Sequence, residues 1–237
     1  MGVIVDCQAT DEVFLTLEKL NIRYYKSCSL DFLYYPVNTH PDMQIHFIFD
    51  DLAVVAPSAY TYYKNILPSN ITLIKGNKDP QNTYPGDCAY NVAKLGNKII
   101  GNHKYTDSKI KEIYKNLEYK FINVKQGYTK CNMCIVDENS IITEDVGLFK
   151  ALIPYGIDAL LLNTHSIRLN SFDYGFIGGA TGFVKPGCLG FLGNLSFHPE
   201  EKHIKDFLEE RKVDIISLSS TNAIDFGGLL YLNDCSD

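Results

Sequence analysis

A unit of apolar strand, tight turn, second strand, helix and third strand recurs along the chain, and this repetition constrains the fold more than any other feature. The first unit opens with Asp42 to Phe49, turns at Asp50-Asp51 and continues as Leu52 to Pro57. A helix over about Ser58 to Leu67 and a strand over Ile71 to Lys75 complete it. The second runs from Asp87 to Ala93, turns at Leu95-Gly96-Asn97 and returns as Lys98 to Asn102. Its pattern predicts a helix over about Thr106 to Leu117 and a strand over Tyr119 to Lys125. The third has Cys131 to Val136, a turn at Asp137 to Asn139, Ser140 to Thr143, a helix over about Val146 to Tyr155 and Ala159 to Asn163. The fourth begins Asp173 to Gly179 and passes through a glycine-rich hairpin ending at Lys185-Pro186-Gly187. It goes on as Leu189 to Asn194, a helix over about Pro199 to Lys212 and Val213 to Leu218. A fifth unit is split. Its first strand, Gly227 to Leu232, lies near the C-terminus, and Gly2 to Val5, a helix over about Asp11 to Leu20 and Ile22 to Lys26 lie at the N-terminus.

The second strands start at Leu52, Lys98, Ser140 and Leu189, about 46, 42 and 49 residues apart, and the wrap through the termini to Gly2 is about 50. Five units of about 47 residues use the 237 residues as one domain, 1–237, with no remainder. Local chemistry agrees. Thr10/Asp11, Ser58, Thr106/Asp107 and Ser196 sit where helix N-caps belong. Ile110, Ile113, Tyr114 and Leu117 form one apolar stripe at helical spacing, as do Ile204, Phe207 and Leu208. Gly96-Asn97 suits a two-residue hairpin. A doubly wound sheet fits less well, because a hairpin precedes every helix. Two domains would need a linker, and the best stretch for one, Gly76 to Gly86, reads as a long loop. The expected architecture is α/β: a five-bladed ββαβ propeller with pseudo-fivefold symmetry, closed by pairing the two terminal segments.

Composition narrows the functional classes. Hydrophobic residues make up 46% and charged residues 21%, as in an ordinary globular protein. No run of about 18 apolar residues is present, so a membrane span is not expected, and the N-terminus has no basic region of a secretory signal. The net charge is −6, and the three arginines are Arg23, Arg168 and Arg211, a poor set for nucleic acid. Seven cysteines at 7, 28, 88, 131, 134, 188 and 235 are an odd number without a secretion signal, so no disulfide framework is expected. The expectation is a cytoplasmic protein. Cys131-Asn-Met-Cys134 alone has metal-type or redox-type spacing; the alternatives are two small apolar residues near a strand start and a metal or redox pair.

The whole pattern resembles the pentein fold of guanidino-group-modifying enzymes, which include arginine and agmatine deiminases, dimethylarginine dimethylaminohydrolase and amidinotransferases. Ribosome anti-association factors share that ring without a catalytic site. His40-Pro-Asp42 is similar to the family's His-x-Asp, and Gly227-Gly228 to the Gly-Gly before the nucleophilic cysteine. Asp173-Tyr-Gly-Phe-Ile-Gly-Gly-Ala-Thr-Gly182 and Gly127-Tyr-Thr-Lys-Cys131 also resemble an uncharacterised bacterial branch of the superfamily. The chain departs from the pattern in two places. Gly-Gly-x-x-Cys reads Gly227-Gly-Leu-Leu-Tyr231, with Cys235 four residues further on. In the enzymes His-x-Asp belongs to the unit before the cysteine, here the unit of Asp173, which has His165 eight residues earlier.

In a ring of this kind the loops leading into the first strands converge on the axis. They carry His40 and Asp42, Asp87 and Cys88, Lys130 and Cys131, His165, Arg168 and Asp173, and Asp225. Converging carboxylates suit a guanidinium, whose donors a carboxylate accepts in pairs, and they also suit a metal ion. A cysteine among them, Cys88, Cys131 or Cys134, is a candidate nucleophile, and His40 or His165 a candidate proton carrier. Each has a bland alternative. Asp42, Asp87 and Asp173 can serve as turn devices, Cys88 as core, and Arg168 as a surface ion pair. The expected ligand is a small cationic or zwitterionic guanidino or amidino compound held by Asp42, Asp87, Asp173, Arg168 and Asp225. His40, His165 and Cys131 are the candidate catalytic groups, and no cofactor is expected. The alternative is a non-catalytic ring acting through protein partners.

Overall fold

Each unit builds one three-stranded sheet and one helix, and the five sheets share one topology. The computed structural model describes residues 1–233, so Cys235 lies outside the described residues. The N-terminal segment supplies β1 (Gly2–Val5), α1 (Asp11–Lys19) and β2 (Arg23–Lys26). The next unit has β3 (Ile45–Phe49), β4 (Leu52–Val55), α2 (Tyr60–Ile66) and β5 (Thr72–Lys75). Then come β6 (Ala93–Leu95), β7 (Lys98–Gly101), α3 (Ser108–Asn116) and β8 (Lys120–Asn123). The following unit has β9 (Cys134–Ile135), β10 (Ser140–Thr143), α4 (Val146–Leu152) and β11 (Asp158–Leu161). The chain finishes with β12 (Thr181–Lys185), β13 (Cys188–Phe191), α5 (Glu201–Glu210), β14 (Asp214–Ser217) and β15 (Leu230–Leu232).

In each sheet the middle strand pairs antiparallel with the first and parallel with the third. A parallel partner requires a crossover, and the helix is that crossover. The split unit follows the same rule: β15 lies antiparallel to β1 with Val3 opposite Tyr231, and β2 lies parallel to β1. Middle strands are buried along nearly their whole length, which explains runs such as Val3-Ile4-Val5 and Ile141-Ile142. Third strands are exposed at their first residue and usually at their last, so they form the outer edges. Each helix lays a short apolar stripe on its sheet, as Ile110 and Tyr114 do in α3 and Ile204 and Leu208 in α5. Burying each such side chain contributes roughly 1.5–3 kcal/mol.

The structure moves several expected boundaries. First strands begin three to six residues later than the apolar pattern suggests, except β12, which begins eight later, at Thr181 rather than Asp173. The displaced residues leave the ladder and turn inward, Pro41–Met43 and Ile177–Ala180 as single 3-10 turns. Asp107 caps α3 through the Lys109 N–H, and Asp145 caps α4 through the Leu148 N–H, a cap the sequence reading passed over. Ser196 instead lies within a 3-10 turn that Asn194 caps, and α5 starts at Glu201. At Gly96 the backbone is left-handed (φ 55°), as the two-residue turn between Leu95 and Lys98 requires.

All five first strands line one cavity of about 180 Å³ in two layers. Ile45, Val92, Met133, Thr181 and Leu229 form one layer. Phe47, Lys94, Ile135, Phe183 and Tyr231, each two residues further along its strand, form the other. Period-two alternation along a strand brings both residues of each pair to the same face.

Candidate functional site

The segments that turn inward before the first strands assemble a buried polar centre. His40, Asp42 and Asp225 are 1–2% exposed and Cys131 is 4% exposed. Pro41 sits at the start of the Pro41–Met43 turn, where its fixed φ fits, and places His40 and Asp42 on either side of itself. The Cys131 thiol donates to Asp42 Oδ2 across 2.8 Å. Asn91 organises the other side of the sulfur: its Nδ2 donates to Cys131 Sγ at 3.1 Å, and its Oδ1 accepts from the backbone N–H of Lys130 and of Cys131. The Lys130 ammonium reaches across to the Gly178 carbonyl at 2.9 Å.

His40 lies between two carboxylates, with Nε2 3.9 Å from Asp6 Oδ2 and Nδ1 3.8 Å from Asp225 Oδ1. Both carboxylates are themselves held. Asp6 accepts from Thr39 Oγ1 and the Gln8 N–H, and Asp225 accepts from the N–H groups of Phe176 and Gly227. The glycine pair explains how these groups come so close. Gly227 and Gly228 have φ of 71° and 75°. A Cβ on Gly227 would meet His40 Cβ at 2.6 Å, and one on Gly228 would meet Lys130 Nζ at 2.6 Å.

Burial raises Asp42, Asp6 and Glu144. Desolvation pushes Asp42 up to about 6, against the opposing pull of Lys130 and His40. Desolvation also raises Asp6. The Cys131 thiol is raised well above its ordinary value, first by burial and then by the Asp42 and Asp225 charges, so it rests protonated. Glu144, at the end of β10, is raised to about 8 by burial while Oε2 accepts from the Ile177 N–H at 3.3 Å. Two carboxylate oxygens in the region have no partner, Asp42 Oδ1 and Glu144 Oε1.

His40, Cys131 and Asp225 line a chamber of about 80 Å³. Its walls include Tyr34, Tyr128, Phe172, Tyr174 and Phe176. A run of hydrogen bonds fixes one wall: the Tyr34 and Tyr128 hydroxyls are 2.5 Å apart, Tyr128 donates to Asp87 Oδ2 at 2.5 Å, and the Cys88 thiol donates to Asp87 Oδ1 at 3.2 Å. Asp42 and Lys130 line the two-layered cavity instead. The Cys131–Asp42 pair therefore stands between the two spaces.

The residues singled out from the sequence fall into three groups. His40, Asp42, Cys131 and Asp225 meet at the centre, and Asp87 holds the chamber wall. His165, Arg168 and Asp173 do not join them, because all three are exposed. His165 stacks on the Tyr174 ring at 4.1 Å, and in place of these residues their unit sends the backbone of Gly178 and Gly179 inward. Cys88 and Cys134 are buried; Cys134 is raised to about 11, chiefly by burial, and Cys88 is raised too. No group of three or more His, Cys, Asp or Glu side chains among the described residues is arranged to hold a metal. Asp6, Asn91 and Glu144 also belong to this region, although no sequence motif marks them. Asn91 lies two residues before β6, much as Asp42 and Cys131 lie three before β3 and β9, a register that appears only once the true strand starts are known.

No helix among the described residues is long and apolar enough to cross a membrane. No curated protein matches the chain in sequence. Solved structures are similar over nearly its whole length. SxtG, an amidinotransferase of the saxitoxin biosynthetic pathway from Microseira wollei, is 13% identical with a TM-score of 0.57, over 96% of this chain and 80% of that one. Inosamine-phosphate amidinotransferase StrB1 from Streptomyces griseus is 10% identical with a TM-score of 0.58, over 97% and 81%. Agmatine deiminase from C. jejuni is 12% identical with a TM-score of 0.50, over 91% and 74%. The chain thus has the pentein fold of the guanidino-modifying enzymes. The model of one family of unknown function, DUF6873, matches residues 4–230, and the chain belongs to that family.

Proposed function

We propose that the buried centre binds a small cationic or zwitterionic compound of the guanidino or amidino type in the aromatic chamber. One observation carries the reading: Cys131 Sγ is hydrogen-bonded to Asp42 and lines the same chamber as His40 and Asp225. A planar cation stacks on aromatic faces and pairs with carboxylates at its edge. Its charge would also offset the carboxylates that, after burial, raise the Cys131 thiol. In turnover, the Cys131 proton would pass to Asp42 as sulfur adds to the central carbon, and His40 would protonate the departing amine. Cys131 would then replace the cysteine of the Gly-Gly-x-x-Cys pattern, where this sequence reads Gly227-Gly-Leu-Leu-Tyr231. The fold supports a closed ring of five units of pseudo-fivefold symmetry, with the β1–β15 pairing joining the split unit.

A second reading, a non-catalytic ring working through a protein partner, is favoured by that tyrosine and by the raised thiol. Titration with agmatine and arginine, followed by mass spectrometry of the protein, separates the two. The first reading expects a rise in melting temperature that Asp225→Asn abolishes, and a covalent adduct lost in Cys131→Ser. A rise without adduct leaves binding only, and no rise with either compound overturns the ligand class.

A further inference from the structure

The walls of the aromatic chamber also select among ligands, given the guanidino or amidino class proposed above. The inner end of the chamber holds His40 and Asp225, both almost fully buried. Its mouth holds Phe172 and Tyr174, which are 47% and 40% exposed. Rings connect the two ends. Tyr34 and Phe172 have centroids 6.0 Å apart, Tyr128 and Phe176 6.3 Å, and Tyr174 and Phe176 6.0 Å. The contact between the Tyr34 and Tyr128 hydroxyls joins the two halves of this wall.

Hydrogen-bond accounting gives the wall a polarity. A tyrosine hydroxyl has one proton to donate. Tyr128 gives its proton to Asp87, so the proton shared by the two hydroxyls comes from Tyr34. The Cys131 thiol gives its proton to Asp42. His40 faces Asp6 on one side and Asp225 on the other. These donors are directed at the protein's own acceptors, and among the described residues no Lys or Arg lines the chamber. The walls therefore present acceptor oxygens and the negative faces of aromatic rings. A guanidinium or amidinium entering head first meets ring faces and a carboxylate, which both favour it. A carboxylate at the far end of the same ligand comes to rest at the mouth, where it loses water and meets ring faces instead of a cation. A second ammonium at that end is tolerated, because ring faces attract cations. We infer that the chamber takes guanidino or amidino cations that carry no carboxylate, and that Phe172 and Tyr174 at its mouth set this preference.

Isothermal titration of the full chain with n-butylguanidine, agmatine and arginine tests this. n-Butylguanidine and arginine carry the same net charge, so the comparison between them does not report overall attraction. The expected result is that n-butylguanidine and agmatine each bind about tenfold more tightly than arginine. Phe172→Lys brings a cation to the mouth and should close most of that gap by tightening arginine; Tyr174→Lys serves the same purpose should the first variant fail to fold. Arginine binding as tightly as n-butylguanidine overturns the inference but leaves the ligand class standing, and loss of that binding in Arg168→Ala would name the partner of the carboxylate. Agmatine alone binding tightly would mean that net charge decides, which also overturns the inference. A gap that a lysine at the mouth leaves unchanged removes Phe172 and Tyr174 as its cause. Binding by none of the three overturns the ligand class itself, and the inference with it.

Discussion

Two units approach the centre in opposite ways. The segment before β3 buries side chains, with His40 and Asp42 inward and packed against other units. The segment before β12 buries backbone. Its His165, Arg168 and Asp173 stay exposed, while Gly178 and Gly179 enter so closely that the Gly178 carbonyl receives the Lys130 ammonium and the Gly179 N–H bonds the Cys131 carbonyl. A polar centre of this size has room for large side chains from some units only if others contribute none. The polar residues of the glycine-bearing unit are therefore the displaced ones.

The strongest way to break this contrast is to put a side chain where the backbone enters. A Cβ on Gly178 would run into the backbone carbonyls of Lys130 and Met133, which cannot swing aside as a side-chain tip can. Gly178→Ala is expected to cost about 3 kcal/mol or more and to lower the denaturant midpoint accordingly. A midpoint within experimental error of the native one would mean that the segment is free to retreat, and the contrast between the units would dissolve.

A smaller effect tests the buried acids on the side-chain-bearing side. Folding raises Asp42 to about 6 and Glu144 to about 8, both through burial. The folded protein therefore keeps protons that the unfolded chain has already released, so stability falls as pH rises. For Glu144 the loss begins near its ordinary value of 4.5 and is complete above about 8. Glu144→Gln keeps the shape without the charge, so its advantage over the native protein should be absent at low pH and grow to about a few kcal/mol by pH 9. Melting curves from pH 4 to pH 9 measure this. Parallel curves for the two proteins would show that Glu144 is not held as a buried neutral acid.

How much of this was legible in the sequence follows from the same contrast. Ser140 to Thr143 reads as a strand because buried middle strands are continuous apolar runs, and it is one. The five-unit order was readable because each helix crossover lies between two local strands. Asp173 to Gly179 misled, because its apolar residues serve a 3-10 turn at the centre instead of a ladder. The site itself was half visible. Residue types marked His40, Asp42 and Cys131, but the Cys131–Asp42 bond joins residues 89 apart, and no local pattern encodes such a partner. Asn91 and Asp6 escaped for the same reason: their roles exist only once three or more units meet.

The smallest expected effects belong to the exposed residues of the glycine-bearing unit, and they sharpen the comparison most finely. Arg168 contributes through its main chain. Its N–H bonds the Ala223 carbonyl, and its carbonyl accepts from the Asp225 N–H, so it helps hold Asp225 in place while its side chain stays in solvent. Alanine preserves those two bonds, so Arg168→Ala and Asp173→Ala should each change stability by no more than about 0.5 kcal/mol and leave ligand binding unaltered. His165→Ala should cost slightly more, about 0.5–1 kcal/mol, because its ring stacks on Tyr174, which walls the chamber. Chemical denaturation of the three variants beside agmatine titration distinguishes these cases. A large loss of binding in Arg168→Ala with the fold intact would bring this unit's side chains into the site. It would also erase the division between units that bury side chains and units that bury backbone.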